Sequence, residues 1–105
     1  MRKGELVEVV RGTAGYRPMT SEEREAWHAE QVRLYGPIDS AGEPWVHCGV
    51  RSVPLDAGTR FMVLRARVSC RVTWYDRPGY AYAEVVGGDG VVLRVPRTDV
   101  VGVRP

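Results

Sequence analysis

Arg65, Arg67 and Arg71 stand within one stretch of alternating character, on the side opposite Met62, Leu64, Ala66, Val68 and Cys70. In an extended strand, alternate side chains share a face about 6.6 to 7 Å apart, a spacing that matches successive phosphates of a nucleic acid. Tyr75, Tyr80 and Tyr82 lie close in sequence and are candidates for stacking on bases. The competing reading is a solvated outer strand face in an arginine-rich chain.

Three tryptophans form a second resource. Trp74 continues the apolar phase of the alternating stretch and is expected in the core. Trp45 follows Pro44 in a loop-rich region, where a large aromatic is either a lid over the core or an anchor for a protein partner. Trp27 and Tyr35 fall with Leu34 on one side of an expected helix and join Trp45 as candidate partner-binding residues.

Other chemistries find less support. His28, His47, Cys48 and Cys70 are the soft ligands, but zinc sites are built from close pairs and the adjacent His47-Cys48 has no such geometry. No metal or cofactor is expected, and both cysteines are read as reduced, buried thiols. Asp56, Asp76, Asp89 and Asp99 sit within two residues of Gly, Pro or Thr at expected turns, where Asp bonds locally. No nucleophile elbow, phosphate loop or dinucleotide fingerprint is present, so no catalytic residue is assigned and an enzyme is not expected.

The frame for these residues is a chain of 105, enough for one core and expected to form a single domain. With 44% hydrophobic and 27% charged residues it has a globular composition. Formal charge is only +2, yet fourteen of fifteen basic residues are arginine; shared GC-rich codons with Gly, Val, Ala and Pro offer a simple account of that excess. Its distribution says more: residues 1–35 carry six basic and six acidic groups, whereas Arg60 to Arg77 carries five arginines against Asp76. The charged start Met1-Arg2-Lys3-Gly4-Glu5 has no apolar run, so neither a membrane span nor a signal peptide is expected and a cytoplasmic location follows.

Glu5 to Arg11 reads as a first strand, and Thr13 to Met19, with Gly15 and Pro18, as a loop. Thr20-Ser21-Glu22-Glu23 fits a capping box, predicting a helix to about Tyr35, stopped by Gly36 and Pro37. Its narrow apolar stripe predicts a helix packed on the outside of a β core. Pro37 to Pro44 reads as a loop and Trp45 to Val53 as a short or irregular strand. The alternation from Met62 to Tyr75 exceeds an ordinary strand, which predicts a long bent strand or a bulge near Ser69. Asp76-Arg77-Pro78-Gly79 is a turn, Tyr80 to Val86 a returning strand and Gly87-Gly88-Asp89-Gly90 a hairpin turn. Val91 to Val95 and Val100 to Val103 are the final strands, joined by a tight turn.

The run Val53-Pro54-Leu55-Asp56-Ala57-Gly58-Thr59-Arg60-Phe61-Met62-Val63-Leu64 resembles the entry to the second strand of SH3-like domains. Gly88-Asp89-Gly90-Val91-Val92-Leu93-Arg94-Val95-Pro96-Arg97-Thr98-Asp99-Val100 is similar to their distal hairpin, fourth strand, one-turn 3₁₀ segment and final strand. The resemblance covers about the last fifty residues and implies a mainly β fold, a small SH3-like barrel with one inserted α-helix. It does not extend to a proline-peptide ligand. Pro96 fits the groove proline, but Asp99 stands where the groove tyrosine belongs, the first-loop aromatic-acidic motif is not recognisable, and Arg17 to Asp56 is a large insertion.

These observations lead to a non-catalytic module for protein interaction or assembly, with a protein partner and no membrane. Nucleic-acid binding through Arg65, Arg67, Arg71, Tyr75, Tyr80 and Tyr82 is the alternative.

Overall fold

A computed structural model describes residues 1–36, 50–70 and 81–103. The chain is predominantly β. Strands β1 (Leu6–Val9) and β2 (Thr13–Pro18) precede helix α1 (Ser21–Tyr35), followed by β3 (Val50–Leu55), β4 (Arg60–Val68), β5 (Tyr82–Val86) and β6 (Val92–Pro96). A 3₁₀ turn (Arg97–Asp99) leads to β7 (Val100–Gly102). The seven strands form one antiparallel sheet in the order β3-β2-β6-β5-β4-β1-β7. Among the described residues, no helix is long and apolar enough to cross a membrane. Expectations for Trp45, His47, Cys48, Arg71, Val72, Trp74, Tyr75, Tyr80 and the loop and turn at 37–44 and 76–79 fall outside the described residues.

Local chemistry explains several elements directly. Thr20 Oγ1 accepts from the Glu23 N–H while the Glu23 carboxylate accepts from the Thr20 N–H, so the predicted capping box starts α1. Gly36 ends the helix at φ +85°, a conformation that disfavours side chains, and its N–H donates to Val32 O. Between β5 and β6 the Gly90 N–H donates to Gly87 O, and Asp89 Oδ1 accepts from the Val91 N–H, closing the predicted hairpin.

Two expectations need correction. Thr13 to Pro18 is not a loop: it pairs with β3 over six positions and touches β6 through Tyr16 and Arg94. Glycine and proline suggest a break, but Pro18 sits at the strand's last position and Gly15 lies over the core, where a Cβ would stand 3.0 to 3.3 Å from three core side chains. The second correction concerns β4. The apolar face beginning at Met62 was expected inward, yet Phe61 and Val63 are buried and Met62 is 46% exposed. Pairing shifts between Val63 and Arg65 and again between Arg65 and Val68, so β4 takes six steps from Met62 to Val68 while β5 takes four from Val86 to Tyr82. These irregularities change which residues face the core, and Val68 and Cys70 are buried farther along. The bulge predicted near Ser69 is matched by the second of these shifts, which ends at Val68, and the first lies farther back along the strand.

Both faces of the sheet carry a buried apolar cluster. One face carries the main core, in which Val7, Val63, Val85 and Val95 are fully buried with Phe61, Leu93 and Val100 around them. The other carries a smaller cluster of Val68, Cys70 and Tyr82, with Tyr16, Val50 and Ala81 against it. Helix α1 contributes no buried residue to either. Its residues alternate charge and apolarity without a dominant side, and Leu34 and Tyr35 are largely exposed.

Candidate functional site

One carboxylate fixes the helix beside the sheet. Glu23 Oε1 accepts from Arg17 Nη1 of β2 at 2.9 Å, and Glu23 Oε2 accepts from Arg51 Nε of β3 at 2.6 Å and from Arg17 Nη2 at 3.2 Å. The residue that closes the capping box therefore also joins the first turn of α1 to two paired strands, since Arg17 and Arg51 are opposite one another in the β2–β3 register. Arg17 above all, and then the Thr20 backbone N–H, hold the Glu23 carboxyl well below the usual carboxylate range. The same hydrogen bond raises the Arg17 guanidinium.

A depressed carboxyl contributes stability that is present above its unfolded value and lost as pH falls through the folded one. Glu23 is therefore expected to stay ionised below the ordinary glutamate midpoint of about 4.3, with the tether released only in stronger acid. Carbon-detected NMR of the side-chain carboxyl gives this midpoint, and Arg17→Met should move it upward. An ordinary midpoint in the unaltered chain would show that the tether does not persist in solution.

Beside this tether lies an open groove between α1 and β3. Met19, Ala26, Trp27 and Val50 give it apolar lining, and Glu22, Glu23, Glu30 and Arg51 give it charge. Glu23, Trp27 and Glu30 recur at helical spacing on one side of α1, so the indole is flanked by a carboxylate one turn before and one turn after. Among the described residues β3 ends the sheet order and pairs with β2, and its Val50, Arg51 and Ser52 line the groove. Of the three predicted partner-binding residues, Trp27 lines the groove, Tyr35 is 78% exposed near the end of α1, and Trp45 falls outside the described residues.

The arginine face is less uniform than its sequence suggests. Arg65 and Arg67 are exposed, but the irregular pairing of β4 with β5 interrupts the even ladder expected to match successive phosphates. Arg65 Nε lies 3.7 Å from Glu84 Oε1, and Arg94 Nη2 donates to Glu84 Oε2 at 3.3 Å. Arg94 is buried and also donates to the Ser69 carbonyl. Tyr82 is 8% exposed and meets Tyr16 edge to face at 6.1 Å between ring centroids, so its ring belongs to the smaller core and is not offered for base stacking. Arg71, Tyr75 and Tyr80 fall outside the described residues.

Asp99 also departs from its expected local turn role. Its buried carboxylate accepts from Arg11 Nε and Thr13 Oγ1, both at 2.7 Å, and its carbonyl accepts from the Val10 N–H. It clasps the 3₁₀ turn to the connection between β1 and β2. Sequence reasoning missed the Asp99 clasp, the Glu84–Arg94 pair and the Arg51 partner of Glu23, because these join residues brought close by strand pairing; the Arg17–Glu23 pair, six residues apart, was within reach of local reading. Among the described residues, no three His, Cys, Asp or Glu side chains gather where they could hold a metal ion. No family model matches the chain, and searches of curated proteins and solved structures likewise find no match.

Proposed function

We propose that this chain is a non-catalytic SH3-like module for protein interaction, whose docking surface is the β2–α1–β3 insertion. The order β7-β1-β4-β5-β6 and the 3₁₀ turn between β6 and β7 support the SH3-like reading. The functional reading rests on the groove between α1 and β3, where Trp27 lies among Glu22, Glu23 and Glu30. Its partner is an extended protein segment with a lysine or arginine. The cation sits against Trp27, drawn by Glu22 and by Glu30, whose carboxylate it shares with Arg33, while Glu23 stays tied to Arg17 and Arg51.

The test is selection of random peptides displayed on phage against the intact chain. Recovered peptides are expected to be enriched in Lys or Arg and to lose at least about tenfold in affinity to Trp27→Ala, a loss of about 1.4 kcal/mol. Peptides without basic bias, or indifferent to Trp27, would reject this site.

Nucleic-acid binding is the second reading, favoured by the exposure of Arg65 and Arg67. With Arg71 these give about three phosphate contacts, which predicts a log affinity against log salt slope of roughly −2 to −3. The protein-interaction reading instead expects weak or absent binding of a mixed oligonucleotide at moderate salt, because Glu84 already lies beside Arg65 and the net charge of +2 gives little long-range attraction. Salt-sensitive binding tighter than about micromolar, weakened by Arg65→Ala and Arg67→Ala, would put nucleic acid first.

A further inference from the structure

The strand register builds an apolar row on the solvent side of the sheet. Leu6 of β1 is opposite Met62 of β4, Met62 is opposite Val86 of β5, and Val86 is opposite Val92 of β6. Their strand neighbours Val7, Val63, Val85 and Leu93 face the main core, so these four side chains share the other face. The row crosses four strands, about 14 Å at ordinary strand spacing. Leu6 and Met62 are each about half exposed, at 49% and 46%, while Val86 and Val92 are partly exposed. Val101 of β7 is diagonal to Leu6 and extends the patch at 49% exposure. A solvent-facing sheet surface ordinarily places polar residues at such positions.

Charged pairs flank the row on both sides. Arg60 donates to Glu8 at 3.2 Å on one flank, and Arg65 lies beside Glu84 on the other. On the second flank Arg65 is on β4 and Glu84 is its register partner on β5.

We propose that this face docks a second copy of the chain, in a two-fold dimer distinct from the partner groove at α1 and β3. A two-fold axis along the strands, between β4 and β5, lays Met62 on Val86 of the second copy and Leu6 on its Val92. The same axis sets Arg65 of each copy against Glu84 of the other, so the flank is complementary in charge to itself. The other in-plane axis, along the row, brings Arg65 towards Arg60 of the second copy and is disfavoured. Faces packed this way lie about 10 Å apart. Because a few half-exposed side chains make a small apolar centre, the dimer belongs to the weak class, with a dissociation constant on the order of 10 μM.

Sedimentation equilibrium of the full chain from about 1 to 500 μM tests this inference. The expected result is a monomer–dimer equilibrium that Met62→Lys and, separately, Leu6→Lys weaken at least about tenfold, with the monomer's circular dichroism unchanged. Leu34→Lys, on the helix and outside the row, should leave association intact. A chain that stays monomeric throughout, or a dimer lost with Leu34→Lys but kept with both row variants, would overturn the proposal. If one row variant fails to fold, the other decides.

Discussion

Asp99→Ala is expected to lower stability by about 2–3 kcal/mol, with a fall in Tm of roughly 10 °C or more. Asp99 is 8% exposed and accepts two side-chain hydrogen bonds at 2.7 Å, from Arg11 and Thr13. Arg11 is mostly in water, so its share is small, and Arg11→Ala should cost only about 0.5–1 kcal/mol. The larger part comes from Thr13, whose hydroxyl loses a charged acceptor, and from slackening of the turn that sets β7 against β1. Asp99→Asn keeps an oxygen acceptor within the same shape and should recover about half the loss. Urea titration measures each change through its midpoint, provided the slope is constant. Equal costs for Arg11→Ala and Asp99→Ala would mean that the exposed ion pair, and not the buried clasp, dominates.

What the sequence displays locally is borne out locally. Thr20 and Glu23 lie three residues apart, and that spacing alone specifies the reciprocal capping bonds. The hairpin at Gly87 to Gly90 is equally local, because glycine and aspartate satisfy its backbone within a few residues. Errors begin where pairing decides. Alternation along β4 correctly indicates a strand but not its face: Phe61 and Val63 take the core side and leave Met62 in solvent, and the register shifts after Val63 re-phase the rest of the strand. Arg17 and Arg51 become one site only because β2 and β3 pair, and their positions in sequence give no hint of a shared carboxylate. Tyr82 looks like an exposed aromatic next to an arginine-rich strand until Tyr16, sixty-six positions earlier, closes over its ring.

Gly15 is the residue most misleading as sequence, and its replacement by valine is expected to cost about 3 kcal/mol. A glycine in a suspected loop suggests unusual backbone angles, but Gly15 lies in regular strand pairing opposite Val53 and has no positive φ. Space is its reason. A Cβ there would stand 3.0 Å from Leu55 Cδ1, 3.2 Å from Leu93 Cδ1 and 3.3 Å from Val95 Cγ1, all from the main core. Alanine meets these contacts too, but its strain of about 1–3 kcal/mol is offset by about 0.4–1 kcal/mol from the less flexible unfolded chain. Valine adds two methyl groups to the same crowded site, so its strand propensity does not rescue it. Gly88 is the control: it is exposed and has nothing within 4 Å of its Cβ position, so Gly88→Ala should change stability by less than about 0.5 kcal/mol. Leu55→Ala removes the closest obstacle, and Gly15→Val should cost about 1–2 kcal/mol less in that background than alone. Chemical denaturation of the four chains measures this coupling. Additive effects would mean that valine disturbs strand pairing at Gly15 instead of crowding the core beneath it.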